Sequence, residues 1–414
     1  MKYNIYIVLI AALLVGCQFN NPKTAEIQGS GDIVQTNSIL EAINMDSIPK
    51  SGRLVDVNPF LIDISRNYPQ ENISLQSIAD IEYIPLETTD TILLDKDAKI
   101  AYVSDNYVVI WQRRQAEVFV FNRNGKIHSH IKRKGPGPEE YTYLVNVVFD
   151  EKNEEIFLID FGRILVYSNS GEYKRILRIS MNSGLNTFYN FDDETILMYD
   201  EYGEGYMDTY NEMPYVFISK KDGSIVSVLN YRLPVRYSNM FIQMQGQNEA
   251  TAVAISLPYN RHFGDEFIIA DISSDTIYRL TKNRDMTPMI VRKPSVHDTS
   301  PITVLVPKLI TDKFIVLHRL TIDFIDRDNR GRSMADFLYE FETGKISNVR
   351  LGNEDIPWFS WNHFDMDIPR NMTALLLQTQ DIKDQFSRLN GELKQLAPSL
   401  NYEDNPVLMI VKFK

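Results

Sequence analysis

The chain has 414 residues, a formal net charge of −12 and a single cysteine. Nucleic-acid binding needs a clustered basic face, and the longest Lys/Arg run is Lys132-Arg133-Lys134, so no nucleic-acid partner is expected. One cysteine excludes an intramolecular disulfide, a cysteine-ligated metal cluster and, once it is used at the N-terminus, a cysteine nucleophile. The 22 Tyr and 21 Phe favour a β-rich body.

Residues 1–17 have the layout of a signal sequence. The apolar run from Ile5 to Val15 has about 11 residues, whereas a membrane-spanning helix needs about 20. The string Leu14-Val15-Gly16-Cys17 resembles the lipobox of bacterial lipoproteins, which implies acylation of Cys17 and a lipid anchor in the membrane. An ordinary signal peptide is the alternative. Because Gln18 rather than Asp follows the cysteine, we expect the outer membrane, at its periplasmic or its surface face.

Residues 18–56 are polar and contain the breakers Asn20-Asn21-Pro22 and Gly29-Ser30-Gly31, without a sustained hydrophobic period. We expect a flexible tether with a root-mean-square span of roughly 30–35 Å, enough to hold a domain clear of a bilayer. The folded domain is then expected to span residues 57–414.

Five segments after the tether share one pattern: an apolar strand, a polar turn and a second, alternating strand. Each predicts a β-hairpin. With Gly125, Gly171, Gly223, Asp275 and Gly344 as turn markers, the spacings are 46, 52, 52 and 69 residues. One hairpin in every 50 or so residues is typical of propeller blades. The segments are residues 118–131, 164–177, 215–229, 267–280 and 337–351.

This spacing predicts an all-β fold, a six-bladed β-propeller with four-stranded antiparallel blades. The sixth blade would be closed by strands from both ends of the chain, at residues 78–88 and 405–414, because such a closure protects the open edges. One short amphipathic helix is expected near residues 381–396. Two stacked β-sandwiches are the alternative, but they would not predict a regular spacing.

Four segments are similar to one known family: IEYIPLETTD (81–90), residues 118–141, ILVYSNSGEY (164–173) and EDNPVLMIVKFK (403–414). They resemble the six-bladed β-propeller lipoproteins of Gram-negative envelopes, which are similar to NHL-type propellers. The resemblance covers most of the chain after the tether. It implies the fold and export but no activity, since that family has no agreed catalytic motif.

Few patterns in the chain point to metal or cofactor chemistry. His128 and His130 would share one face of a strand, but no third ligand is evident. Residues 326–331 resemble the start of a calcium loop but lack required acidic ligands. Residues 134–141 lack the third glycine of a dinucleotide fingerprint. We therefore expect no metal and no cofactor.

Two of the three tryptophans lie in one polar segment, residues 358–364. Aromatic rings beside polar groups suit sugar or peptide binding, so Trp358, Trp361 and His363 are the predicted ligand contacts. The alternative is that these rings fill the sixth blade.

The function expected from these features is a non-catalytic envelope propeller that binds a glycan, a peptide or an envelope protein. A propeller enzyme acting on carbohydrate or another envelope substrate is the alternative, because the sequence neither locates nor excludes a pair of catalytic carboxylates.

Overall fold

The computed structural model describes residues 48–160, 162–179, 186–201, 213–233, 235–237, 240–244, 250–254, 260–322, 332–359, 361 and 369–414. They belong to one compact unit, Ile43–Lys414. No helix in these ranges is long and apolar enough to cross a membrane.

The described chain begins with short elements that precede the first complete blade. They are β1 (Lys50–Ser51), β2 (Arg53–Leu54), β3 (Phe60–Asp63), β4 (Gln70–Ser74), helix α1 (Leu75–Ile78) and β5 (Ala79–Pro85). We call residues 48–74 the belt, because its strands lie on the outer edges of later blades.

Blades I to III each contain four antiparallel strands in sequence order. Blade I consists of β6 (Lys99–Val103), β7 (Tyr107–Gln112), β8 (Glu117–Asn122) and β9 (Ile127–Ile131). Blade II consists of β10 (Asn146–Asp150), β11 (Glu155–Asp160), β12 (Arg163–Ser168) and β13 (Tyr173–Arg178). Blade III consists of β14 (Asn186–Asn190), β15 (Thr195–Asp200), β16 (Tyr215–Ser219) and β17 (Ile225–Leu229).

Blades IV and V repeat the same order after a separate hairpin of β18 (Met240–Met244) and β19 (Ala250–Ala254). Blade IV consists of β20 (Arg261–Phe263), β21 (Glu266–Ile269), β22 (Thr276–Leu280) and β23 (Asp285–Lys293). Blade V consists of β24 (Thr303–Ile310), β25 (Phe314–Ile322), β26 (Arg332–Glu340) and β27 (Ile346–Gly352). A 3₁₀ helix, Val296–Asp298, lies between the two blades.

Blade VI joins the two ends of the chain, as predicted. Its described strands are β28 (Met372–Leu377), β29 (Val407–Phe413) and β5, in that spatial order. Strands β29 and β5 are antiparallel, from Val407 opposite Pro85 to Phe413 opposite Ala79. A buried apolar cluster then joins this blade to blade I, so the ring is closed.

Apolar side chains fill both faces of the blades because each blade packs between two neighbours. All six residues of β11 are buried, and so are the first five of β8. Further clusters of buried side chains join blades I and II, blades II and III, blades III to V, and blades V and VI. The six-bladed propeller predicted from the hairpin spacing is therefore confirmed.

The segment near residues 381–396 is helical as expected, but as two short helices. They are α2 (Thr379–Asp384) and α3 (Gly391–Leu396), with 3₁₀ turns at Phe386–Arg388 and Ala397–Ser399. The break falls at Leu389 and Asn390, which have extended backbones. Ile382, Leu389 and Leu393 are buried in the cluster between blades V and VI.

The predicted hairpin at residues 267–280 is present, but its position in the blade differs from that of the other four. It joins the second and third strands of blade IV, whereas the other four hairpins join third and fourth strands. The corresponding turn of blade IV ends at Arg284, which has φ +65°. Positive φ is uncommon for residues other than glycine, so an arginine in the sequence does not indicate a turn of this kind.

The predicted boundary of the tether at residue 56 is too late. Strand β1 pairs with β17, β2 and β3 pair with β23, and β4 pairs with β27, all in parallel. The backbone of these residues is held by the edges of blades III, IV and V. The folded body therefore begins at or before residue 48, and residues 18–47 of the predicted tether lie outside the described residues.

Candidate functional site

The turns between the first and second strands of blades I to IV line a single cleft. Its volume is about 580 Å³. The turn residues that line it are Asn106, 150–152, 191–193 and 264–265. Four different blades supply one site because equivalent turns lie at the same end of the ring.

Short acidic turns follow a phenylalanine in three of these blades: Phe149-Asp150-Glu151, Phe191-Asp192-Asp193 and Phe263-Gly264-Asp265. The phenylalanines are buried, and the residues after them lie at the cleft. Asp192 accepts hydrogen bonds from the backbone N–H groups of Glu194 (2.9 Å) and Thr195 (2.6 Å). An aspartate favours such a turn because its side chain can bond the backbone two residues on.

Glu151 is held in place by two neutral donors from blade I. The Tyr102 hydroxyl donates to its Oε2 (2.8 Å), and Asn106 Nδ2 donates to its Oε1 (2.7 Å). These bonds fix the carboxylate across the boundary between blades I and II. Both donors are uncharged, so these two bonds do not neutralise the negative charge of Glu151.

Other carboxylates of the cleft form ion pairs. The buried Lys220 donates to Asp150 across blades III and II (2.6 Å). Lys152 bonds Asp193, and this hydrogen bond lowers the pKa of the Asp193 carboxyl.

Within blade IV, Lys282 donates to Asp265 (2.6 Å). The hydrogen bond lowers the pKa of Asp265 and raises the pKa of Lys282. The lining as a whole carries six carboxylates and two lysines, so it favours ligands with amino or hydroxyl donors over anions.

No group of three or more His, Cys, Asp or Glu side chains in the described part of the chain could hold a metal ion.

Two of the three residues predicted to bind a ligand, Trp358 and Trp361, lie in or against the buried cluster between blades V and VI. Trp361 is only 4% exposed and packs edge-on against Phe359, with ring centroids 5.9 Å apart. Trp358 is half-buried and stacks under the Arg388 guanidinium at 4.9 Å. The packing of Trp361 agrees with the alternative that these rings fill the sixth blade. His363, like Cys17, lies outside the described residues.

A second, smaller cleft of about 380 Å³ lies near these aromatic residues. It is lined by Phe359, by residues 72–74 of the belt and by residues 350–354. It is more open than the first cleft and is formed by one blade edge rather than by four blades.

The larger cleft was not predicted from the sequence. Each turn alone looks like an ordinary exposed loop, and its partners are 40 or more residues away along the chain. The usable signal is the recurrence of a phenylalanine followed within two residues by an acid, at the end of the first strand in three blades.

Comparison with known proteins supports the fold and identifies a family. A crystal structure of a candidate exported protein from Bacteroides fragilis is 18% identical, with a TM-score of 0.58, covering 86% of this chain and 99% of that one. A DUF4221 family member from Bacteroides vulgatus is 9% identical, with a TM-score of 0.44, covering 81% and 97%. No curated protein matches the sequence.

The sequence model of one family covers more than half of the chain. The model, described as "Domain of unknown function (DUF4934)", matches residues 59–293. This range begins within the belt and includes blades I to IV, which build the cleft. The chain is therefore a member of the DUF4934 family.

Proposed function

We propose that this protein is an exported, lipid-anchored propeller of the cell envelope that binds a polar ligand in the cleft without catalysing a reaction. The observation that carries the proposal is the convergence of four equivalent turns on one cleft. Its volume of about 580 Å³ lies within the range of small-ligand sites, roughly 300–1,000 Å³.

The sequence of the N-terminal segment supports export and anchoring. The apolar run before Cys17 has the signal-sequence layout, and the lipobox resemblance favours acylation. The similar Bacteroides fragilis structure is itself described as that of a candidate exported protein. Gln18 favours the outer membrane as the place of the anchor.

Two carboxylates of the cleft are poorly suited to the acid step of glycoside hydrolysis. A glycosidase needs one carboxyl with a raised pKa as general acid beside a second, ionised carboxylate. In the cleft, the pKa values of Asp193 and Asp265 are lowered by lysines. Glu151, fixed by Tyr102 and Asn106, is suited to accept hydrogen bonds from a ligand.

The ligand expected for this lining is a glycan, a cationic peptide or a lysine-bearing protein surface. Residues 18–414 should be applied to arrays of glycans and lysine-rich peptides, and the hits measured by calorimetry. Glu151→Gln keeps the shape but removes the charge, and a hydrogen bond to a charged group contributes about 1.5–3 kcal/mol. We expect roughly tenfold or greater loss of affinity.

Glu172→Gln is the matched control, because Glu172 is exposed on another turn of blade II. It should bind as the wild type does. If the wild type and Glu151→Gln bound every hit with equal affinity, the cleft would not be the binding site. If a bound glycan were hydrolysed, the protein would be an enzyme.

A further inference from the structure

Four large apolar side chains are exposed on one short stretch of the belt. Leu54, Val57, Phe60 and Leu61 are 64%, 42%, 39% and 53% exposed. We call these four residues the belt stripe.

The pairing of the belt places these residues along a single strand edge. Leu54 lies opposite Met286, and Leu61 lies opposite Val291, both on β23. Five residues of a strand span about 17 Å, at about 3.3 Å per residue. Leu54 and Leu61 therefore both lie on the outer edge of blade IV, about 17 Å apart along it.

Core packing fixes which side chains of β3 face outward. Ile62 and Ile64 are 0% and 3% exposed and belong to the cluster between blades III, IV and V. Side chains alternate along a strand, so Leu61 is turned away from that core. The Phe60 ring is partly supported by Tyr339, with centroids 4.9 Å apart.

An apolar outer edge is unusual for a surface that stays in water. Proteins generally protect edge strands with charged side chains or proline, because an exposed apolar edge invites association. A contiguous apolar patch commonly marks a membrane or protein contact. The belt stripe therefore indicates a surface that is covered in the working protein.

The place of the stripe in the chain indicates what covers it. The belt is the first part of the ring after the N-terminal segment, and about 30 residues separate Cys17 from the start of the belt. A flexible chain of that length has a root-mean-square span of about 30 Å. Such a span lets the ring stand clear of the bilayer, but it also keeps the belt, the part of the ring nearest to an acyl anchor at Cys17, within reach of the bilayer at high local concentration.

We propose that the belt stripe lies in the interfacial region of the lipid bilayer, with the outer edge of blade IV facing the membrane. This inference rests on the proposed lipid anchor for its orientation. The lipid at Cys17 and the stripe are then two separate contacts with the bilayer.

The charges beside the stripe are nearly balanced, so the contact is mainly apolar. Arg53 pairs with Asp285 (3.4 Å), and Arg66 pairs with Asp63 (3.2 Å). Lys50 and Asp56 are both exposed. A balanced surface attracts anionic lipids only weakly, so salt should change binding little.

Vesicle flotation of residues 18–414 tests the stripe apart from the anchor, because this chain carries no acyl group. The vesicles contain phosphatidylethanolamine and phosphatidylglycerol. We expect the wild type to float with the vesicles and Leu54→Ser/Leu61→Ser to bind about tenfold less or weaker, because the variant removes two inserting side chains. Met334→Ser is the matched control, since Met334 is 60% exposed on blade V, and it should float like the wild type.

Thermal melting of each variant shows that the ring is folded before flotation is compared. The proposal is overturned if the wild type does not float, if the leucine variant floats equally, or if about 0.5 M NaCl releases the wild type, because salt screens charges but not apolar contacts. If the stripe bound a protein rather than lipid, the wild type would not float, because these vesicles contain no protein. Fatty-acid labelling at Cys17 tests the anchor separately, so failure of the anchor is distinguishable from failure of the stripe.

Discussion

At the scale of single residues, the sequence predicts blade turns where glycine supplies the backbone geometry. Gly125, Gly171, Gly223 and Gly344 all have positive φ and lie between third and fourth strands. The fourth blade uses Arg284 at the same place, and its identity gives no indication of that role. Residue type therefore predicts a turn only where the positive φ would strain any residue other than glycine.

Gly125→Ala should destabilise the ring by about 1–3 kcal/mol, because alanine is strained at positive φ. The added Cβ would also lie 2.2 Å from the Pro85 carbonyl oxygen in the closing blade. Gly352→Ala is the control, since Gly352 has open space around it and no positive φ. Thermal melting of the two variants should show a clear drop for the first and little change for the second.

The buried pair of Lys220 and Asp150 should be costly to break singly. Both side chains are almost fully buried, so Asp150→Leu leaves the ammonium of Lys220 without this carboxylate, a loss of about 3–5 kcal/mol. Replacing both, as Asp150→Leu with Lys220→Met, should recover most of the stability. A double-mutant cycle from melting data checks this, and additive losses would show that the two charges are not coupled.

At the scale of elements, the strands predicted best are those with a strong local pattern. The strand at residues 405–414 and its partner at 78–88 were both found from their apolar runs. The belt strands were missed because each has only two to five residues. Their partners lie far along the chain, as Lys50 opposite Val228 shows, and edge pairing of this kind leaves no local pattern.

Deleting residues 405–414 should leave the protein poorly folded or aggregated. Val407, Leu408, Met409, Ile410 and Val411 are completely buried. Each contributes about 1.5–3 kcal/mol, which together is comparable to the ~5–15 kcal/mol net stability of a domain. Deleting residues 18–47 removes no described strand and should leave the melting temperature nearly unchanged. A soluble truncation at residue 404 that melts like the wild type would contradict the closure of the ring by β29.

At the scale of the whole molecule, ring closure connects stability with the site. The regular hairpin spacing predicted the ring, because each blade must bury both faces against its neighbours. The cleft was not predictable in the same way. Asn106 of blade I and Asp265 of blade IV line the same cleft only after the ring has formed. Their spacing along the chain does not predict this.

The most direct test of the cleft as the binding site is to block it. Residues 18–414 contain no cysteine, so Lys152→Cys gives one thiol at the rim, where the native lysine is exposed. After coupling to a polyethylene-glycol maleimide, this protein should lose binding on the glycan and peptide arrays. Glu172→Cys, coupled in the same way, should keep it. Undiminished array binding by the blocked Lys152→Cys protein would contradict the account.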